Sequence, residues 1–354
     1  MMDVGYYLAR LSFGKAVRQR SWKKLAAQTR HGLSLEGSLR QMYQRAEAQG
    51  SPLARVWQDV LQQMDAGHSL GVALASFVPV DEIMLISSGQ QSGQLPEGLD
   101  LAVRLLDARR KITSAVVGAV AMPLLLFVLS LALLVFVAVY FVPDLAQLSD
   151  PDTWVDSART LHLFSAALAT PPGLGICVLL GLSPVGLLAA LPLWTGPLRK
   201  RLDKYPPFSL YRLTVGSVWL FSLATLMRAG RPIGTVLDAM LDMRLSPWLR
   251  ERIQAVREVY EGGKGLGEAL HETRLGFPDP EIIDDLRVYA TLPGFDDQLY
   301  ALASDWMRDG VEYIEQQAAV LKTLCYILIS LLIGWIVIGM NSIQNQLMSG
   351  MGGF

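Results

Sequence analysis

The sequence predicts an all-α membrane protein: two homologous cytoplasmic helical bundles and three transmembrane helices. Three observations carry that expectation. The phrase GHSLGVAL at 67–74 returns as GKGLGEAL at 263–270. The stretches Ile112–Pro143, Leu163–Leu198 and Thr323–Phe354 contain no Asp, Glu, Lys or Arg. Elsewhere apolar residues recur with the helical period, and alternating strand patterns are scarce.

The repeat extends beyond the octapeptide in unchanged order, as a true internal duplication requires. Upstream, Arg30, Gly32, Leu35, Leu39 and Met42 match Arg228, Gly230, Ile233, Leu237 and Met240. Ser51-Pro52 answers Ser246-Pro247, and VPVDEIM at 78–84 answers FPDPEII at 277–283. Of the 354 residues, 51% are hydrophobic and 18% charged, too apolar for an ordinary soluble domain.

In chain order, residues 1–16 form an N-terminal segment with Arg10 and Lys15 and no apolar run of the cleavable-leader type. Residues 17–111 make the first bundle. Within it Leu53, Val56, Trp57, Val60, Leu61 and Met64 form one helical stripe. Ser51 is placed to cap that helix, and Pro52 sits where no N–H is needed. Gly67 closes it in the left-handed conformation, and Ser69 caps the next, whose Leu70 and Leu74 share a face. Gly263, Gly265, Leu266 and Leu270 repeat that joint in the second bundle, residues 196–322.

Crossing ~30 Å of hydrocarbon takes roughly 20 apolar residues, so each uncharged stretch holds one span. The spans are placed at 112–143, 172–195 and 323–343, with a loop at 144–171 and a tail at 344–354. Lys and Arg stay on the cytoplasmic side. Arg109-Arg110-Lys111 and Arg199-Lys200-Arg201 flank the first two spans, whereas 144–170 has Arg159 as its one basic residue. Both bundles and the N-terminus are therefore expected in the cytoplasm, and the C-terminus outside it. With no break signal at 109–113, the last helix of each bundle is expected to run on into its span.

Catalytic chemistry finds little support. GGKGLG at 262–267 lacks phosphate-loop spacing, and HETRL at 271–275 has Leu275 where a zinc helix needs its second histidine. SGQQSGQL at 88–95 does not centre a serine between glycines as a hydrolase elbow would. His31, His68, His162 and His271 are scattered, so no catalytic, cofactor or metal residue is assigned. Cys177 and Cys325 lie in spans and exclude a disulfide framework. The net charge of −1 argues against nucleic acid. Small or helix-bending residues in the spans, Gly118 and Pro123, Gly181, Pro184 and Gly186, then Gly334 and Gly339, mark contact with other membrane helices. Arg18, Arg20, Lys23 and Lys24 form a basic cluster suited to anionic lipid or an acidic partner.

With its repeat, its span order and its motif glycines, the chain resembles the type II secretion protein F family of bacterial inner-membrane platform proteins. The carrying residues are Gly32, Leu35 and Leu39; Gly67, Leu70, Ala73 and Leu74; Gly89, Ser92, Gly93 and Leu95; then Gly230, Ile233 and Leu237; and Gly263, Leu266, Ala269 and Leu270. Gln90 stands where the family's G-E-x-S-G has glutamate, and the second copy has only VYATLPGFDD at 288–297, so the resemblance implies no metal site. The short lead into the first bundle is similar to type IVb and thin-pilus platforms. A non-enzymatic scaffold is implied, working with a hexameric assembly ATPase, pilin or prepilin and other inner-membrane pilus proteins, and self-assembling as a homo-oligomer. On that reading Arg18, Arg20, Lys23, Lys24, Arg228 and Arg231 face the ATPase. A secretion-system platform and a small transporter or channel are the alternatives.

Overall fold

The computed structural model describes residues 4–147, 154–205, 207–243, 245–290 and 294–351. Parts of the expected loop (148–153), of the second-copy motif (291–293) and of the tail (352–354) lie outside the described residues.

The chain opens with α1 (Val4–Ser12), α2 (Lys15–Arg30), α3 (Leu35–Ala48), α4 (Leu53–Asp65), α5 (Leu70–Leu74), α6 (Val80–Gln91) and the long α7 (Leu95–Phe136). A π turn, Val137–Phe141, leads into α8 (Val142–Ala146), followed by α9 (Asp156–Leu168) and α10 (Pro171–Ala190). Then come α11 (Pro197–Leu202), α12 (Phe208–Arg228), α13 (Ile233–Asp242), α14 (Pro247–Glu261), α15 (Leu266–Glu272), α16 (Pro280–Tyr289) and α17 (Phe295–Met351). The described residues contain no strand.

Helices α2 to α7 are answered in order by α12 to α17. The turns show the duplication at backbone level. Gly32, Gly67 and Gly93 have φ of +85°, +88° and +73°, and Gly230, Gly263 and Gly294 have +80°, +85° and +75°. Each stands where a side chain would be strained in the left-handed region. Gly294 thus takes the place of Gly93 in a segment whose residue types had diverged. The two caps differ in detail. Ser246 accepts from the Leu249 N–H at 3.3 Å with Pro247 opening α14, whereas α4 starts one residue later and Ser51 accepts from the Leu53 N–H at 3.3 Å.

Two compact units result: Met1–Ser114 with Pro192–Val311, and Ala115–Leu191 with Glu312–Phe354. In the first, both repeats share one apolar core, running from Phe13, Trp22 and Trp57 through Leu85 and Leu105 to Leu220, Trp248 and Leu286. Helix α12 lies inside it. Among the described residues, four helices are long and apolar enough to cross a membrane: α7 with its extension to Ala146, α10, α12 and α17. The α12 window is 61% buried by protein against 22%, 11% and 11% for the others, which makes α12 the core helix of its bundle and leaves three with faces for lipid.

In the second unit, α9 occupies most of what the sequence reads as a loop. Trp154, Ala158 and Leu161 pack with Val137, Ile336 and Ile343. The second apolar helix stops at Ala190: Leu191 still has helical angles, but Pro192 has no N–H with which to continue the hydrogen-bond ladder. At the end of the first, Pro143 brings a local problem. The Val142 N–H donates to the Val137 carbonyl, an i to i−5 bond, so the matching donor for Ala138 would be residue 143. Proline has no N–H. The Ser165 hydroxyl from α9 supplies it instead, donating to the Ala138 carbonyl at 2.6 Å in a buried setting.

Ser165→Ala should therefore leave a buried carbonyl unsatisfied and cost about 1–3 kcal/mol. Thermal unfolding in a non-ionic detergent checks this. Ser165→Thr, which keeps the hydroxyl, should recover part of the loss, and an unchanged alanine variant would show that the carbonyl finds another donor.

Candidate functional site

Of the family-motif residues, Gly89, Ser92 and Gly230 come together where the two repeats meet in the first unit, whereas Gly263 and Leu266 line a separate pocket of the second copy. The α6–α7 turn of the first copy faces the α12–α13 turn of the second. Gly89 and Gly98 let α6 and α7 touch backbone to backbone, for a Cβ on Gly89 would sit 2.8 Å from the Gly98 Cα. The Ser92 hydroxyl donates back to the Ser88 carbonyl at 3.0 Å and closes α6. Gln90 Oε1 accepts from the Leu70 N–H at 3.1 Å, an acceptor role that glutamate would fill equally well.

Across the junction, the Ser88 hydroxyl donates to the Ala229 carbonyl and Arg231 Nη2 donates to Gln91 Oε1 at 3.2 Å. Deeper in, Arg109 Nη2 donates to Ser222 at 3.3 Å. An open cleft of about 470 Å³ remains between the turns, with Ser92, Gln94, Asp100, Arg104 and Arg228 on its walls. Tyr300 sits between the arginines: Arg104 donates to its hydroxyl at 3.4 Å, and the Arg228 guanidinium stacks 4.5 Å from its ring centre. Arg228 also pairs with Asp297 at 3.5 Å, and Arg30 with Asp100 at 2.5 Å. Charges of both signs alternate around the cleft, a pattern suited to a polar protein surface and poorly suited to concentrating one kind of ion. Among the described residues, no group of His, Cys, Asp and Glu is arranged to hold a metal ion.

The other expected site residues divide into separate groups. Arg18, expected to face a partner, is a correction: it is 8% exposed and its guanidinium is held by Glu82 at 3.1 Å and by the Phe13 carbonyl at 2.9 Å. Its position on α2 turns it inward, onto the first turn of α6. Trp22 donates to the same carboxylate at 2.9 Å, and Arg109 pairs with the neighbouring Asp81. Burial, the largest influence, holds the Glu82 carboxyl above the ordinary glutamate range against the lowering pull of Arg18 and Trp22. Arg20 is exposed, Lys23 is exposed beside Asp107 at 3.7 Å, and Lys24 is half-buried. Leu70 and Leu266 are core residues. In the second unit, Gly181 meets Leu131 and Gly339 meets Leu161, whereas Gly118, Gly186 and Gly334 have open space where a side chain would be. Pro123 and Pro184 lie inside α7 and α10.

Sequence reasoning missed Gly98 and Arg104 on α7 and Tyr300 on α17, which meet only through the fold and carry no local signal. It also missed a buried cluster in the second bundle, in which Arg199 and Arg252 share Asp203. The i,i+4 spacing of Arg199 and Asp203 is a signal that could have found half of it.

Comparison with known proteins covers the same two repeats. The pattern of the family described as "Type II secretion system (T2SS), protein F" matches residues 23–143 and 219–341. The toxin coregulated pilus biosynthesis protein E of Vibrio cholerae serotype O1 (strain ATCC 39315 / El Tor Inaba N16961) is 22% identical over 295 residues, covering 82% of this chain and 85% of that protein.

Two substitutions separate a structural arginine from a surface one. Arg18→Met strands a buried carboxylate and should cost about 3–5 kcal/mol, while Arg20→Met should stay within about 0.5 kcal/mol. Both are read from thermal unfolding in detergent. The pH dependence has a defined sign. The folded state holds the Glu82 proton more tightly than the unfolded chain, so this group favours folding at acid pH, and its contribution declines as pH rises from about 4.3 through the raised native value. The stability of wild type minus that of Glu82→Gln should fall over that window. A difference that grows with pH would mean that pairing with Arg18 outweighs burial.

Proposed function

The chain belongs to the type II secretion system protein F family, and from that membership we propose that it is a non-enzymatic platform protein of the bacterial inner membrane, serving type IV and most specifically type IVb pilus assembly. The observation that carries this reading is the double family match. Each matched segment contains a set of short helices followed by one long helix, α7 or α17, that continues into uncharged residues. A chain with that layout can bind a cytoplasmic machine through its bundles and meet membrane-embedded subunits through its spans. The Vibrio relative, named for pilus biosynthesis, supports a pilus over a secretion machine.

On this reading the first unit lies in the cytoplasm with the N-terminus, and the C-terminus lies outside. An assembly ATPase acts on the first unit and prepilin enters against the spans. Arg20, Lys23 and Lys24 on α2, with Arg228 and Arg231 at the cleft, are the ATPase-facing cations. Gly118, Gly186 and Gly334, open within the chain, are where a pilin helix or a second copy of the platform can approach closely. Gly181 and Gly339 already serve packing inside the chain. The mixed-charge lining of the cleft supports a role in binding a polar protein surface.

Solubilising the chain from its native membrane and identifying what co-purifies tests the proposal. An assembly ATPase together with prepilin is the expected result. Secretion pseudopilins would move the chain to the sister machine, and a clean homo-oligomer that passes solutes in liposomes would replace the proposal with a transporter. Arg20→Glu combined with Lys24→Glu should reduce ATPase recovery while prepilin recovery holds. Reversing Arg231 is a poorer probe, because it also breaks the bond to Gln91.

A further inference from the structure

Helix α11 follows the second apolar helix within a few residues and is fastened to the second bundle by buried charge. Arg199 and Arg252 are both 0% exposed and share the carboxylate of Asp203, with Arg252 Nη2 to Asp203 Oδ2 at 2.7 Å. The Arg199 guanidinium stacks 4.5 Å from the Phe208 ring centre and that of Arg252 lies 3.8 Å from the Trp248 ring. The Trp248 N–H, a free donor at the start of α14, binds the Pro192 carbonyl at 3.2 Å. The segment between α10 and α12 is thereby pinned at both ends. The Arg252–Asp203 pair joins the end of α11 to α14 and so ties its orientation to the second bundle.

That orientation turns a distinct face outward. Leu193, Leu198 and Tyr205 are 64%, 56% and 65% exposed, and Trp194, edge-on to Phe208, is 36% exposed. Lys200, Arg201 and Lys204 are exposed among them, and within the described residues none of the three has a carboxylate in ion-pair reach. Leu193 and Trp194 come directly after α10, so chain length alone keeps them at the level of the headgroups. Aromatic and aliphatic groups beside unpaired cations match the edge of a bilayer that carries negative charge.

We propose that α11 and its flanks are a binding surface for anionic phospholipid headgroups, with Lys200, Arg201 and Lys204 contacting phosphate and Trp194, Leu198 and Tyr205 entering the interface. The buried arginine pair holds this surface rigidly against the second bundle, so lipid charge sets where that bundle stands on the membrane. This inference is independent of the machine the chain serves, and neither co-purification result bears on it.

The test uses the full chain in non-ionic detergent, titrated with phosphatidylglycerol or with phosphatidylcholine, with lipid retention read by native mass spectrometry and stability by thermal unfolding. Wild type should retain phosphatidylglycerol preferentially and gain thermal stability from it. The triple variant Lys200→Gln, Arg201→Gln, Lys204→Gln should lose roughly 10- to 100-fold in apparent phosphatidylglycerol affinity while melting as wild type does without lipid. A control variant, Arg10→Gln with Lys15→Gln, should bind normally. Unchanged binding by the triple variant, equal retention of phosphatidylcholine, loss of binding in the control variant instead, or the same stabilisation from inorganic phosphate would each overturn the proposal.

Discussion

The packing of α6 against α12 is the contact on which the first unit depends. Each repeat, at roughly 100 residues, is long enough for a core of its own, but α12 has apolar residues on every side. Alone, such a helix would have the character of a membrane span. Here the two repeats close around it: Ser88 reaches the Ala229 carbonyl, and Arg109 reaches Ser222. The same closure brings the α6–α7 turn to the α12–α13 turn, so the cleft follows from burying a helix that neither repeat could cover by itself.

Charge is used in two ways. Arg18 with Glu82, Arg109 with Asp81, and Arg199 with Arg252 and Asp203 are removed from water at considerable desolvation cost. Burial pushes the Arg199 and Arg252 guanidinium pKa values down from their ordinary value, yet arginine keeps its proton, so each must hold its geometry or leave a bare charge behind. Surface pairs such as Arg40 with Glu36 or Arg308 with Asp305 are exposed and contribute little. The buried sets join elements that sequence places far apart, α2 with α6 and α11 with α14.

The sequence made the fold class, the repeat, the family and the turn glycines legible, because each depends on local periodicity or on backbone rules that residue type alone reveals. Gly67 and Gly263 are examples: a glycine after an amphipathic stripe announces a left-handed closure wherever the chain goes next. What stayed hidden depends on long-range placement. Arg18 reads as surface because a cluster with Arg20, Lys23 and Lys24 has no inward direction until Glu82 arrives from 64 residues away. Gly294 was obscured by divergence of its neighbours, and Ser165 by the absence of any sequence rule linking it to a carbonyl opposite Pro143. The cleft was half legible: its motif turns could be named, but Arg104 and Tyr300 belong to it through the meeting of two repeats.

Electrostatics also separates the surfaces of the first unit by the partner each suits. Around the cleft, Arg228 is balanced by Asp297 and Arg30 by Asp100, so the field at long range is small and recognition must come from shape and matched hydrogen bonds. At α11, Arg199 and Arg252 are matched by Asp203 and Glu251, so the excess positive charge comes from Lys200, Arg201 and Lys204. A surface of that kind is felt within a Debye length and is indifferent to the fine shape of what it meets. The balanced junction of the repeats is thus suited to a partner matched in shape, and α11 to a charged plane, and the two surfaces share no residue.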